Sequence, residues 1–230
     1  MSTNSFFVKL LRFIGIVLMA LTGGFTLLGG IGTTCAALAP TNFGSMAALA
    51  PFQWLYILFV IIGIALGVLG IRATIMLIKG ADKSYRDALV ILIAGVVIGF
   101  IHIYASRALR GKSMPVDAVV YTTVLTLIIF LLFKIPAIWQ GVDFAKAKAG
   151  QNKPAGGTAA ILLGVMTLTI QYTMGATHTW DGINYADAFN TSMTVIGLIL
   201  SIAGFALLAY REDARTELHL RESTRSPNRP

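Results

Sequence analysis

The sequence predicts an all-α integral membrane protein, a bundle of about six transmembrane helices with both termini in the cytoplasm. Three observations carry this reading. From Phe13 to Ile71 there is no Asp, Glu, Lys, Arg or His, and only a lipid bilayer makes so long an uncharged stretch sensible. The chain is 56% hydrophobic and 12% charged, whereas a soluble domain is about a quarter charged. Its 230 residues accommodate six helices of about 20 residues, each sufficient for a hydrocarbon core roughly 30 Å thick. The expected organisation is one membrane domain over 1–210 and a short charged cytoplasmic tail over 211–230, disordered at its end.

The first crossing is placed at about 13–32, behind Lys9 and Arg12, which mark a cytoplasmic membrane face. These two charges and Ala37-Leu38-Ala39 imitate a secretory signal. The apolar run is too long for a signal core and Pro40 follows the small-x-small triplet, so an uncleaved anchor is expected. Within the crossing, Ala20 and Gly24 have small-xxx-small spacing, which lets membrane helices approach closely.

Residues 33–51 form an uncharged loop in which Ala-Ala-Leu-Ala-Pro occurs at 36–40 and again at 47–51. With Cys35, Pro40, Phe43, Pro51, Trp54 and the later Trp180, it is the candidate outer docking surface; anchoring at the membrane interface explains the same aromatics. The second crossing, 53–78, carries Gly63, Gly67 and Gly70 as a smooth side expected to pack on the first. Arg72 is expected to snorkel to the cytoplasmic interface.

The third crossing, 88–106, contains Gly95 and Gly99 in GxxxG spacing and His102, the one histidine inside an apolar segment. An imidazole there can ligate a haem or pigment or hydrogen-bond a quinone; a hydrogen bond between helices is its simpler role. The fourth crossing, 116–139, ends near Lys134, Pro136 and Trp139, and 140–157 is expected to be a flexible cytoplasmic connection. The fifth, 158–176, becomes polar through Thr167, Thr169, Gln171, Tyr172 and Thr173. The sixth, 192–210, carries Gly197 and Gly204 on one small side.

Charge sets the orientation. Thirteen Lys and Arg fall in segments that are cytoplasmic when both termini are inside, against Arg107, Arg110 and Lys112 outside. The net charge of +8 is therefore a matter of topology, and no nucleic-acid partner is implied. The expected location is a cell membrane, as in a bacterial inner membrane.

No catalytic signature is found. Glutamate is confined to the tail, and every aspartate lies in a loop or at a helix end, which disfavours a carboxylate-relay pump. Cys35 is the only cysteine, so no internal disulfide or multi-thiolate metal site is available. His-Glu-x-x-His, Gly-x-Ser-x-Gly and phosphate-loop patterns are absent. The expectation is a non-catalytic membrane subunit or scaffold that packs on other membrane proteins or on copies of itself, with no metal. A small transporter or channel for a neutral or anionic solute, and an anchor binding a quinone or pigment through His102, are the alternatives.

Overall fold

The computed structural model describes residues 5–147, 150–180 and 182–225, and their side chains except at 35, 45, 176, 177, 180, 185 and 210–225. The fold is all-α apart from one two-stranded hairpin. Among the described residues, five helical stretches are long and apolar enough to cross a membrane: Phe6–Leu38, Met46–Lys79, Ser84–Arg110, Val116–Phe133 and Asn190–Ala209. The chain divides into two compact units, Met1–Ala149 and Gly150–Pro230.

The first unit holds α1 (Phe6–Leu38), α2 (Gln53–Lys79), α3 (Ser84–Arg110), α4 (Val116–Phe133) and the short α5 (Pro136–Val142). Helices α1 to α4 run up and down around a shared interior. Gly15, Gly29 and Thr22 of α1 meet Phe133, Val119 and Thr126 of α4, a register that descends one helix as it climbs the other. Two helices end on glycines in the left-handed region, Gly80 at φ 69° and Gly111 at φ 73°. The Gly80 and Ala81 amides donate to Leu77 O and Met76 O, satisfying carbonyls that the last turn of α2 leaves open. A side chain at either glycine would strain that turn.

Close approach between α1 and α2 is set by glycine. A Cβ on Gly67 would lie 2.6 Å from Leu27 N and Cα, one on Gly70 3.0 Å from Gly23 Cα, and one on Gly63 3.6 Å from Gly30 Cα. Gly23 and Gly30 are the partners on α1; Gly24 is buried beside them. On α3, a Cβ on Gly95 would lie 3.3 Å from Thr123 Cγ2 and one on Gly99 2.5 Å from Val120 Cγ2, both on α4. These small faces are therefore occupied within the chain itself.

The second unit comprises α6 (Lys153–Leu168), α7 (Ile170–Met174), a hairpin of β1 (Thr179–Trp180) and β2 (Ile183–Asn184), α8 (Tyr185–Ala188) and α9 (Asn190–Arg225). Helices α6 and α9 pack antiparallel through facing glycines, Gly157 with Gly204 and Gly164 with Gly197. A Cβ on Gly204 would lie 2.6 Å from Gly157 O, and one on Gly164 2.7 Å from Gly197 O. In both packed pairs the glycines stand seven residues apart on each helix: 23 and 30 against 63 and 70, 157 and 164 against 197 and 204.

Several boundaries differ from those the sequence predicts, each for a local reason. Helix α1 continues to Leu38 rather than stopping near 32, because Thr33 and Thr34 donate to Gly29 O and Gly30 O and remain compatible with the helix. The crossing predicted to reach 139 ends at Phe133. Pro136 forces Ile135 out of the helical region (ψ 123°) and starts α5 as a separate helix.

Parts of the connection 140–157 belong to one unit or the other, and 148 and 149 lie outside the described residues. Gly141, Val142 and Phe144 are buried, and α6 begins at Lys153, taking in Gly156 and Gly157. The predicted 158–176 helix is broken at Thr169, whose hydroxyl bonds back to Val165 O and Met166 O, an arrangement that bends helices. Backbone helix extends to Arg225, through the start of the tail end expected to be disordered; 226–230 lie outside the described residues.

Candidate functional site

Three groups of polar or aromatic side chains are built into the first unit, one at each end and one at mid-height. At the end where α1 meets α2, residues 40–52 fold as short 3-10 turns, Pro40–Asn42 and Gly44–Phe52, into an uncharged cap. Pro40 starts the first turn, where its missing N–H costs nothing. The Phe43 amide donates to Pro40 O and the Met46 amide to Phe43 O, while Gln53 Nε2 reaches Leu38 O at 2.9 Å and ties the two helix ends. Leu49, 1% exposed, is the peg of the cap. It packs with Ala37, Tyr56, Phe59 and Val60.

His102 belongs to the same assembly. Its ring stacks on Phe59 with centroids 4.3 Å apart and lies edge-on to Tyr56 at 5.5 Å, and the Tyr56 hydroxyl is 2.8 Å from Ser106 Oγ. One imidazole face is thus covered by a phenyl ring, and aromatic packing rather than a hydrogen bond between helices holds the residue. Replacing it with phenylalanine preserves the stack. His102→Phe is expected to change unfolding stability by no more than about 1–2 kcal/mol, measured by thermal unfolding in detergent; a larger loss would mean that the ring nitrogens matter.

The surrounding residues are those that sequence reasoning passed over. Arg107 Nε donates to Ser113 Oγ at 2.9 Å and its Nη2 to Asp117 Oδ1 at 2.9 Å, and Ser113 Oγ donates to Asp117 Oδ2 at 2.6 Å. Arg110 Nη2 reaches Met114 O at 3.0 Å. Two of the three basic residues that conflict with simple charge counting thus clamp the turn between α3 and α4. The signal was present as Asp117 placed ten residues after Arg107 across a tight Gly-Pro turn.

Of the residues assigned to the docking surface, Pro40 is buried and Phe43 is 7% exposed, so both belong to the interior of the cap and not to its outside. Pro51 is exposed. The exposed apolar residues beside the cap are Leu38, Phe52 and Trp54, the last at 65%. The side chains of Cys35 and Trp180 lie outside the described residues.

At mid-height, Thr22 Oγ1 and Thr126 Oγ1 are 2.7 Å apart across the α1–α4 contact. Thr122, Thr123 and Thr126 each donate to the carbonyl four residues back, and Thr26 does the same to Thr22 O. Thr22, Thr26 and Thr123 border a cavity of about 10 Å³, room for a single water. Gln171 and Tyr172 belong to the second unit, where Tyr172 is exposed and Gln171 Oε1 is buried with no hydrogen-bond partner among the described residues.

At the opposite end, Arg12 is 1% exposed. Its Nη2 donates to Gly141 O at 2.7 Å and Asp143 O at 3.1 Å, and its Nε to Val142 O at 3.1 Å. These are carbonyls at the end of α5, where a cation is favoured by both hydrogen bonding and the helix dipole. Around them stand Tyr85, Phe130, Phe133, Trp139 and Phe144, with the Tyr85 hydroxyl donating to Phe130 O and Lys134 Nζ 5.5 Å from the Tyr85 ring centre.

Among the described residues no three His, Cys, Asp or Glu side chains are grouped so as to hold a metal ion. No protein-family model, curated protein or solved structure matches the chain.

Proposed function

We propose that the chain is a multi-pass protein of a cell membrane, as in a bacterial inner membrane, with six crossings and both termini cytoplasmic, and that it acts as a non-catalytic subunit or scaffold for other membrane proteins. The sixth crossing is α6 with α7. Alone, α6 spans roughly 24 Å at 1.5 Å per residue, short of the hydrocarbon core. It lies alongside α9, with Gly157 and Gly164 facing Gly204 and Gly197, so it occupies the depth that α9 occupies.

The observation that carries the role is the cap. An uncharged segment is folded on a buried Leu49 rather than left loose, and it brings Leu38, Phe52 and Trp54 together as exposed apolar groups at one end of the bundle. Glycine faces give no such support, because those of α1, α2, α3, α6 and α9 are filled inside the chain. Since Ala37, Phe43 and Leu49 are core residues, a test must spare them. Leu38→Ser with Trp54→Ser is expected to leave stability within about 1 kcal/mol and to release partner subunits when the tagged protein is drawn gently from its native membrane. Retention of the same subunits by the double variant would sink the scaffold role. A coloured wild-type preparation that His102→Phe bleaches would favour the cofactor anchor instead.

A further inference from the structure

We propose that the groove between α2 and α3, at the end of the bundle that carries Arg12, binds one anionic phospholipid, its phosphate held between Arg72 and Arg86 and an acyl chain laid along Leu69, Met76 and Val90. The inference rests on the membrane placement proposed above. The groove is open on one side and offers about 410 Å³, and its wall combines these apolar side chains with two guanidinium groups and the carboxylate of Asp87.

Arg72 is the decisive residue. It sits on α2 seven residues before Lys79, the last residue of the helix, which places its Cα roughly 10 Å inside that end. It is exposed, and it has no hydrogen bond or ion pair among the described residues. A guanidinium that faces hydrocarbon without a partner is costly, and the long side chain escapes by reaching towards the interface. Arg86, three residues into α3, stands at that interface on the other wall of the groove.

Arg86 Nη2 is 3.4 Å from Asp87 Oδ1. That pair is neutral together, so the groove retains one uncompensated positive charge, on Arg72. A phosphodiester matches it: one negative charge and several acceptor oxygens suited to the planar fork of arginine, carried on chains that the apolar wall can take. Basic pockets between membrane helices on the cytoplasmic side hold anionic lipid headgroups by this combination. A free phosphate would leave Leu69, Met76 and Val90 unused.

The test uses the full chain in detergent, stripped of lipid and offered equal amounts of phosphatidylglycerol and phosphatidylcholine with identical chains, with bound lipid read by native mass spectrometry. One phosphatidylglycerol per chain is expected, favoured over phosphatidylcholine by about fivefold to tenfold, the scale of one basic side chain at a membrane surface. Arg72→Gln abolishes the preference, and Arg86→Gln reduces it. Lys79→Gln, which removes the same charge outside the groove, keeps it. Equal occupancy by the two lipids, survival of the preference in Arg72→Gln, or an equal loss in Lys79→Gln overturns the site. Carbonate extraction of native membranes separates the two readings: a chain that stays in the membrane but shows no lipid preference overturns the groove alone, and a chain that is released overturns both.

Discussion

Arg12→Met lowers the unfolding free energy by about 3–5 kcal/mol, the largest loss expected of any single side chain here. The charged hydrogen bonds it removes are each worth about 1.5–3 kcal/mol, and two of the acceptors left behind, Gly141 O and Val142 O, are buried. Gly141 O, Val142 O and Asp143 O close the end of α5, and they have Arg12 as their common donor. Methionine keeps the apolar stem and supplies no donor. Arg12→Lys retains the charge but offers a point donor in place of a planar fork, so it recovers part of the loss. Trp139 stands on α5 with its ring 4.6 Å from that of Tyr85, and its fluorescence, isolated by replacing Trp54 and Trp180, reports whether α5 stays docked. Unchanged stability and emission in Arg12→Met would show that water serves these carbonyls as well as arginine does.

Gly67→Ala is the second large effect, at about 2–3 kcal/mol, the range for forcing a methyl group into a packed interface. Its Cβ would fall 2.6 Å from Leu27 N and Cα, and backbone atoms of a long helix cannot step aside singly. Gly63→Ala is the control on the same face. There the new methyl meets Gly30 Cα at 3.6 Å, an ordinary contact, and alanine is the better helix former by about 0.8–1 kcal/mol. It should be neutral or slightly stabilising. Chemical denaturation of both variants in one detergent decides the matter, and equal losses would overturn Gly67 as the point of closest approach between α1 and α2.

The all-α class and the apolar helices are legible in the sequence because hydropathy over some 20 residues averages out local detail. Breaks inside helices are less legible, since they depend on one residue in context. Pro136 ends α4 outright, whereas Thr169 interrupts α6 only because its hydroxyl turns back on its own carbonyls. The β1–β2 hairpin is signalled by Asp181-Gly182 between Thr179-Trp180 and Ile183-Asn184, a short cue inside a polar connection.

The site was legible in its parts and not in its assembly. His102 and the segment around Leu49 read as separate features because they stand more than fifty residues apart in sequence, and nothing local reveals that Phe59 and Tyr56 join them. Arg12 shows the opposite difficulty. Its position beside an apolar run has a sufficient topological explanation, and that explanation hides a structural role which depends on carbonyls some 130 residues away.

The glycines spaced by seven in both packed pairs have a kinematic consequence. Each pair is pinched at two levels roughly 10.5 Å apart along the axis, like a key with two notches. Sliding one helix by a single residue, about 1.5 Å, would drive side chains into both pinch points together. The next position at which glycine again faces glycine is seven residues away on α6 and α9, and on α1 and α2 it is three or four residues away, where Gly67 comes opposite Gly23 or Gly30; in each case only one notch engages. A piston stroke of α1 along α2, or of α6 along α9, is therefore closed to this protein. What remains is pivoting about the pinches, so each hairpin moves as one rigid lever.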